Sequence, residues 1–340
     1  MAKQIYNTLT KEIHGSEKWV KSGAALDYDY SSDKIPNQFL LLLKPEAINV
    51  NSNSDVLGIL NLVFTNIQKF DIHTNRIRIL KGSFILENKV LETQYSILSL
   101  VSDLGYLVNS NSVRHKIDNY VSTLSYNPII LGGNEFLRLY NNFSPFTLSV
   151  LSDNLGTVKL GSGIYVTNIE LTGKKIIILN PFYPFQAKWF TNNNSTVIAI
   201  ECFSYKPWSY LRKNFAGYIE PKNALQHSLR RELFDKKDEL EITSISKCFN
   251  FIHISPGPIE AAFQIEKYFY DNRQEHNNIS KNILGQALLN RGFNNDFLER
   301  LGQNPEVLYN GDKKHLFEHT EDMDIIKAVN LIGKIQDSII

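Results

Sequence analysis

Asn250, His253 and Ser255 fall inside one short stretch, Asn250-Phe-Ile-His-Ile-Ser-Pro-Gly-Pro258, which closes an apolar run and leads into a helical pattern. An imidazole delivered at a strand end, facing a helix start, suits nucleophilic or acid–base chemistry. Lys44 stands in a comparable place: it ends the run Phe39–Leu43, and Pro45 removes the next ladder donor, so the amine lies at the rim of the sheet. Between these two stretches the chain carries Arg212-Lys213, Gly217, Pro221 and Arg230-Arg231 in a loop. Cations, an amide and an imidazole are therefore expected on one rim.

The elements that must hold them read as follows. Phe39–Leu43 is a continuous apolar run, as in a strand covered on both faces. Ser54-Asp55 caps a helix with Val56, Ile59, Leu60, Val63, Phe64 and Ile67 on one face. Ile72–Leu80 alternates as a strand, and Glu87–Val101 repeats as a single helix. From about Gly105 to Tyr183 the pattern turns to strands, with a hairpin at Leu171-Thr172-Gly173. Thr196–Ile200 is another apolar strand, Pro207 opens a short helix, Lys247–His253 is the last strand and Pro258–Phe269 the last core helix. A short helix is expected around Thr8–Lys18, and Ile325–Ile335 is an amphipathic segment that docks on the body or on a second subunit. The order predicts an α+β, ferredoxin-like βαββαβ sandwich, an antiparallel sheet with helices on one face, plus a β-rich insertion and a helical C-terminal extension. The expected division is an extension over 1–37, a domain over 38–270 interrupted by an insertion at 102–183, and a C-terminal extension over 271–340.

Of 340 residues, 43% are hydrophobic and 21% charged, enough for a sizeable core. Lys plus Arg number 36 against 35 acids, a net charge of +1, which argues against a nucleic-acid-coating or polybasic membrane protein. Cys202 and Cys248 form no close metal-ligand pair, so a reducing compartment is the default. The N-terminus lacks a secretory apolar region and no run reaches membrane-span length, giving a cytoplasmic expectation. His315, Glu318 and His319 have the H-x-x-E-H spacing of inverted zinc peptidases, but their charged surroundings read as a solvated segment, and no metal is expected on protein side chains.

Taken together, Phe39-Leu-Leu-Leu-Leu-Lys-Pro-Glu-Ala47, the Asn250-x-x-His253-x-Ser255 signature and the following Glu260–Phe269 helix resemble the nucleoside diphosphate kinase family. Arg212-Lys213-x-x-x-Gly217-x-x-x-Pro221 resembles its phosphate-binding loop. The resemblance covers about 40–101 and 184–270. It implies phosphoryl transfer from ATP or another NTP through a phosphohistidine on His253 to a nucleoside diphosphate or a different acceptor, with Mg²⁺ bound through the nucleotide phosphates. It further implies Lys44 on the terminal phosphate, Arg230 and one of Arg212 or Lys213 on the others, Asn250 on the sugar side, Tyr95 near the histidine and Phe185 on the base. Ser255 and Gln264 stand behind the histidine.

Departures from the family pattern are Ile219 at the loop threonine, Lys213 at the first arginine, Ile254 and Pro256 in the signature, Gln264 at the orienting glutamate and Val50-Asn51 after the first motif. They keep two alternatives open: nucleotidyl transfer to a small-molecule acceptor in the same pocket, and a non-catalytic nucleotide sensor or scaffold. The expected partners are a nucleotide and an unidentified small-molecule acceptor, with no nucleic acid and no membrane; the family's habit of assembly leaves a homo-oligomer open.

Overall fold

The structure, a computed structural model, describes residues 1–11, 16–22, 34–49, 54–246, 249–269 and 279–339. Strands β1 (Glu17–Lys21), β2 (Asn37–Leu43), β3 (His73–Lys81), β8 (Thr196–Ser204) and β9 (Ile252–Ile254) form a five-stranded sheet in the order β1-β3-β8-β2-β9. Every pairing in it is antiparallel. Without β1, the order is that of the ferredoxin-like βαββαβ unit, and the chain is α+β.

The leucine run explains why β2 is central. Phe39 to Leu43 are all 0% exposed, because alternate residues enter two different cores. Phe39, Leu41 and Leu43 pack with helix Val56–Lys69 and the start of Pro258–Phe269. Leu40 and Leu42 pack with Phe84, Ile85, Val90, Leu91 and Phe190 on the other side. Helices thus cover both faces of the sheet rather than one. Each such leucine contributes about 2 kcal/mol on burial, so β2 anchors whatever sits at its end.

Three boundaries differ from the sequence reading. The N-terminal helix is Ala2–Leu9, and Glu17–Lys21 is an edge strand instead of helix. Arg78, fully buried on β3, holds it there through an ion pair with Glu17 and the Trp19 ring 4.9 Å from its guanidinium. The expected helix Glu87–Val101 is split into Gly82–Glu87, Val90–Gln94 and Ser96–Leu104, with Lys89 left-handed (φ 49°) and Tyr95 non-helical at the joints. The last strand is only Ile252–Ile254, since Phe251 has φ 69° and cannot continue a ladder; Lys247 and Cys248 lie outside the described residues.

The middle segment builds a second sheet in the order β4 (Ile129–Gly132), β7 (Lys174–Leu179), β6 (Ile164–Leu171), β5 (Val158–Gly161). The expected hairpin is present, with Thr172 and Gly173 both at positive φ, the turn whose twist matches its strands. Helices Asn111–Val121, Gly133–Leu139 and Pro145–Leu155 accompany these strands and make the segment as helical as it is extended. Their polar stretches hide the period: Asn111–Val121 buries only Ser112, Val113 and Ile117. Buried Asn180 joins this sheet to the core, donating to the carbonyls of Leu98 and Gly163 and accepting from the Tyr165 amide.

The C-terminal segment is mainly helical, with a hairpin of β10 (Glu306–Tyr309) and β11 (Asp312–His315). Helix Ile325–Ile335 docks on the body: Ile325, Val329, Ile332 and Ile335 join the main core, and Asn37 at the head of β2 accepts from the Ile325 amide. No helix among the described residues is long and apolar enough to cross a membrane.

Candidate active site

Register decides where His253 points. It lies opposite Leu42 on β2, and directly opposed residues share a face, so the imidazole looks toward the core that holds Val90 and Leu91. There it meets the Tyr95 ring edge to face at 5.8 Å between centroids. The helix break at Tyr95 is what frees that ring to turn inward. Behind the imidazole, Gln264 of helix Pro258–Phe269 places Oε1 3.3 Å from Nε2.

A chain of hydrogen bonds gives this contact a direction. The Leu40 amide, a donor only, donates to Ser255 Oγ at 3.1 Å; Ser255 Oγ donates to Gln264 Oε1 at 2.6 Å. Gln264 Oε1 is thereby oriented as an acceptor for a proton on His253 Nε2. Nδ1 then carries the lone pair, and it has no hydrogen-bond partner among the described residues. Burial, with Arg230, Lys44 and Arg212 adding to it against the Gln264 hydrogen bond, depresses the imidazole pKa from 6.5 to about 3. The ring is neutral at physiological pH, and Nδ1 is the nitrogen not committed to Gln264.

Two cations flank it. Lys44, 4% exposed, contacts Glu46 at 2.9 Å and donates to Asn250 Oδ1 at 3.2 Å. Glu46, which sequence reasoning missed, also accepts from the Phe251 amide, and the Lys44 amide donates to the Phe251 carbonyl. These contacts hold the left-handed Phe251, a conformation that is costly for an aromatic residue. The kink brings Asn250 and His253 to the same corner. Arg230 donates to the carbonyls of Gly217 (2.6 Å) and Ile252 (2.9 Å), while its Nε has no partner among the described residues. Gly217 needs to be glycine: φ is 89°, and a Cβ would stand 2.5 Å from Ser228 Oγ. Burial lowers the Arg230 pKa to about 10, so it stays a cation at neutral pH.

His253 and Arg230 belong to the walls of two adjoining cavities. The first, of about 180 Å³, is lined by the Lys44, Glu46 and Asn250 cluster and by the aromatic rings of Phe185, Trp189 and Phe249. Phe185 and Trp189, one helical turn apart, stack at 6.2 Å, and Phe249 meets both edge to face. Trp189 Nε1 is buried without a hydrogen-bond partner among the described residues. The Phe185–Trp189 spacing was visible in the sequence, but only the fold brings Phe249 to it. The second cavity, of about 470 Å³, is walled by Arg212, Lys213, Glu260, Glu321 and Asp322 among others.

No protein-family model matches the chain, and no curated protein matches it. Among solved structures it is similar to an NDP kinase from Pyrobaculum aerophilum, at 14% identity over 70% of this chain and 97% of that one, with a TM-score of 0.36. It is also similar to a nucleoside diphosphate kinase from Encephalitozoon cuniculi, at 14% identity, 71% and 93% coverage and a TM-score of 0.32. A third is the enzyme from Borrelia burgdorferi in a transition-state mimic with bound vanadate and ADP, at 15% identity, 72% and 96% coverage and a TM-score of 0.33. Likeness at this level assigns no role to any residue here, and the roles below rest on this chain's own geometry.

Of the sequence-selected residues, Lys44, Tyr95, Phe185, Arg230, Asn250 and His253 line the first cavity. Ser255 and Gln264 stand behind the imidazole. Arg212 and Lys213 face the second cavity instead. Arg212 is held there by Glu321 and Asp322, each at 2.9 Å, and Lys213 is exposed. The H-x-x-E-H residues do not converge. His315 contacts the Asn304 carbonyl and Ser110, His319 the Val307 carbonyl, and Glu318 pairs with Lys116 at 2.9 Å. Among the described residues no group of three or more His, Cys, Asp or Glu could hold a metal ion.

Proposed function

We propose that this protein is a nucleotide-dependent phosphotransferase in which His253 Nδ1 takes the terminal phosphoryl group of an NTP and passes it to an acceptor. The observation that carries this reading is the directed imidazole: neutral, with Nε2 committed to Gln264 and Nδ1 unpartnered, beside Lys44 and Arg230 in the wall of an aromatic cavity. A phosphoryl group in transfer spreads negative charge over its oxygens, so fixed cations beside the nucleophile stabilise the transition state more than the ground state. The Phe185–Trp189 pair offers a stacking surface for a base, with the unpartnered indole N–H as a donor to one of its acceptor atoms. We assign the sugar to Asn250, which lines the same cavity and accepts from Lys44.

The chemistry balances without another group on the protein. The Nδ1 lone pair forms the N–P bond as the bond from phosphorus to the leaving oxygen of the nucleoside diphosphate breaks. Nε2 keeps its proton on Gln264. An ion carried on nucleotide phosphates needs few protein ligands, and Glu46 Oε2, buried without a hydrogen-bond partner among the described residues, fits a contact to its water shell. Mg²⁺ bound in that way would neutralise phosphate charge.

Incubation with γ-labelled ATP and Mg²⁺ tests the reading. Acid-labile, base-stable label is expected on the wild type and none on His253→Gln. Failure of the wild type to take label would end the phosphohistidine mechanism, and label from α-labelled ATP instead would make the reaction nucleotidyl transfer.

A further inference from the structure

The second cavity contains a carboxyl that the transfer to His253 does not use. Glu260 lies four residues before Gln264 on one helix, so the two share a face about one turn apart. Gln264 touches His253, which puts Glu260 one turn further along, in the wall of the second cavity. Its carboxyl makes no hydrogen bond to, and no ion pair with, a described residue. The other acids on that wall are matched: Glu321 and Asp322 by Arg212, Glu318 by Lys116.

A phosphate oxygen accepts a phosphoryl group with no proton to lose, whereas an alcohol must give one up. An unpaired acid–base group near the nucleophile is therefore a device for a hydroxyl acceptor. The cavity shares His253, Arg230 and Tyr95 with the aromatic one, so an acceptor seated in it meets the phosphohistidine without displacing a nucleotide. Taking the phosphohistidine reading as its basis, we infer that the second cavity binds a small hydroxyl-bearing acceptor and that Glu260 takes the proton of the attacking hydroxyl. In that step the new O–P bond forms, the Nδ1–P bond breaks, the O–H proton goes to the Glu260 carboxylate, and the pair returns to Nδ1.

Burial and the neighbouring Glu321 raise the Glu260 pKa to about 8, with Arg212 opposing them. The exposed Lys213 faces the same cavity, as does Lys159 from β5. Arg230 and His253 face it from the side of the nucleotide cavity, and His315 and Glu318 from the C-terminal hairpin and the turn after it. The base form is the ionised one, so transfer to a hydroxyl rises with pH until Glu260 is deprotonated.

The test uses full-length protein charged with γ-labelled ATP, freed of nucleotide, and offered glycerol or, separately, ADP. Discharge to glycerol is expected to rise about tenfold per pH unit below pH 8 and to level off above it. Glu260→Gln is expected to lose about a hundredfold of that discharge together with its pH dependence, while discharge to ADP falls less than about threefold. Circular dichroism of the variant checks its fold. The inference is overturned if glycerol removes label no faster than buffer, if Glu260→Gln discharges to glycerol like the wild type, or if it slows glycerol and ADP equally. Absence of label on the wild type would instead remove the underlying mechanism, and this inference with it.

Discussion

Arg230 and Arg212 both reach the region of His253, yet they are used differently. Arg230 gives its donors to two backbone carbonyls, and no carboxylate is among its described partners. Arg212 is held by Glu321 and Asp322 of the C-terminal segment and touches the Pro256 carbonyl. Among the described residues one arginine meets only carbonyls, while the other has its charge matched by carboxylates. The contrast divides the site. The aromatic cavity has a cation held in a buried corner, where a charge is worth more than in water. The second cavity is larger and more polar, and its arginine, Arg212, is already paired with carboxylates.

Removing each arginine in turn is the sharpest way to break this comparison. Arg230→Met is expected to slow charging of His253 by about 10²–10³-fold, the scale for losing one fixed charge stabiliser. It also strands the Gly217 and Ile252 carbonyls, for a stability loss of about 1–3 kcal/mol. Arg212→Met is expected to slow charging by less than about tenfold, since its charge is already matched. Rates of label incorporation, with urea melts to separate folding, decide the matter. Equal losses in the two variants would mean that the pairing of Arg212 does not set its role.

The sequence reading went furthest where one physical signal dominated. The leucine run named β2, the Asp55 cap and its apolar face named the helix that crosses the sheet, and the apolar run from Thr196 named β8. Lys44 was legible as the residue that follows β2, and Asn250 and His253 from their types and spacing, although His253 is the middle residue of β9 and faces inward by register. What stayed hidden depended on contacts distant in sequence. Edge strand Glu17–Lys21 exists because Arg78 holds it, and the break at Tyr95 exists in a stretch whose apolar spacing alone continues as helix. Glu46 appeared in the sequence only as part of the Lys44-Pro45-Glu46 stretch, without a role. Only pairing with Lys44 and the kink at Phe251 make it part of the site. Glu260 carries no signal until Gln264, one turn later, is seen on His253. The insertion's helices were missed because each buries only one or two large apolar residues, too few to set a helical period.

The tautomer of His253 is the next point on which the two sides can be separated. With a pKa lowered to about 3 by burial and the nearby cations, the imidazole is expected to stay neutral from pH 8 down to pH 5. Nitrogen-detected NMR should show a protonated Nε2 and a bare Nδ1 throughout. The sign for stability follows. The folded pKa lies below the ordinary 6.5, so unfolding takes up a proton as pH falls. Stability contributed by the neutral buried ring is complete above pH 6.5 and is lost as pH drops toward 3. Gln264→Glu sets a carboxylate against Nε2 and is expected to raise the pKa by about 1–3 units. An imidazolium signal at pH 5.5 in the wild type would contradict the neutral nucleophile.

The smallest expected effect tests the rings of the aromatic cavity. Trp189 stacks on Phe185 and meets Phe249, so its ring is fixed and its N–H direction with it. A buried donor without a partner carries an unpaid desolvation cost of about 1–3 kcal/mol, which a base with an acceptor atom at that point relieves. Trp189→Phe keeps an aromatic stack and removes the donor, so it should stabilise the empty protein slightly while weakening nucleotide binding by about three- to tenfold. The two changes have opposite signs, which a general packing defect cannot produce. Calorimetric titration with ATP and a thermal melt of the free protein measure both. A variant that is less stable and binds ATP as the wild type does would show that the indole N–H serves only the packing of the cavity wall, and base recognition would then rest on stacking alone.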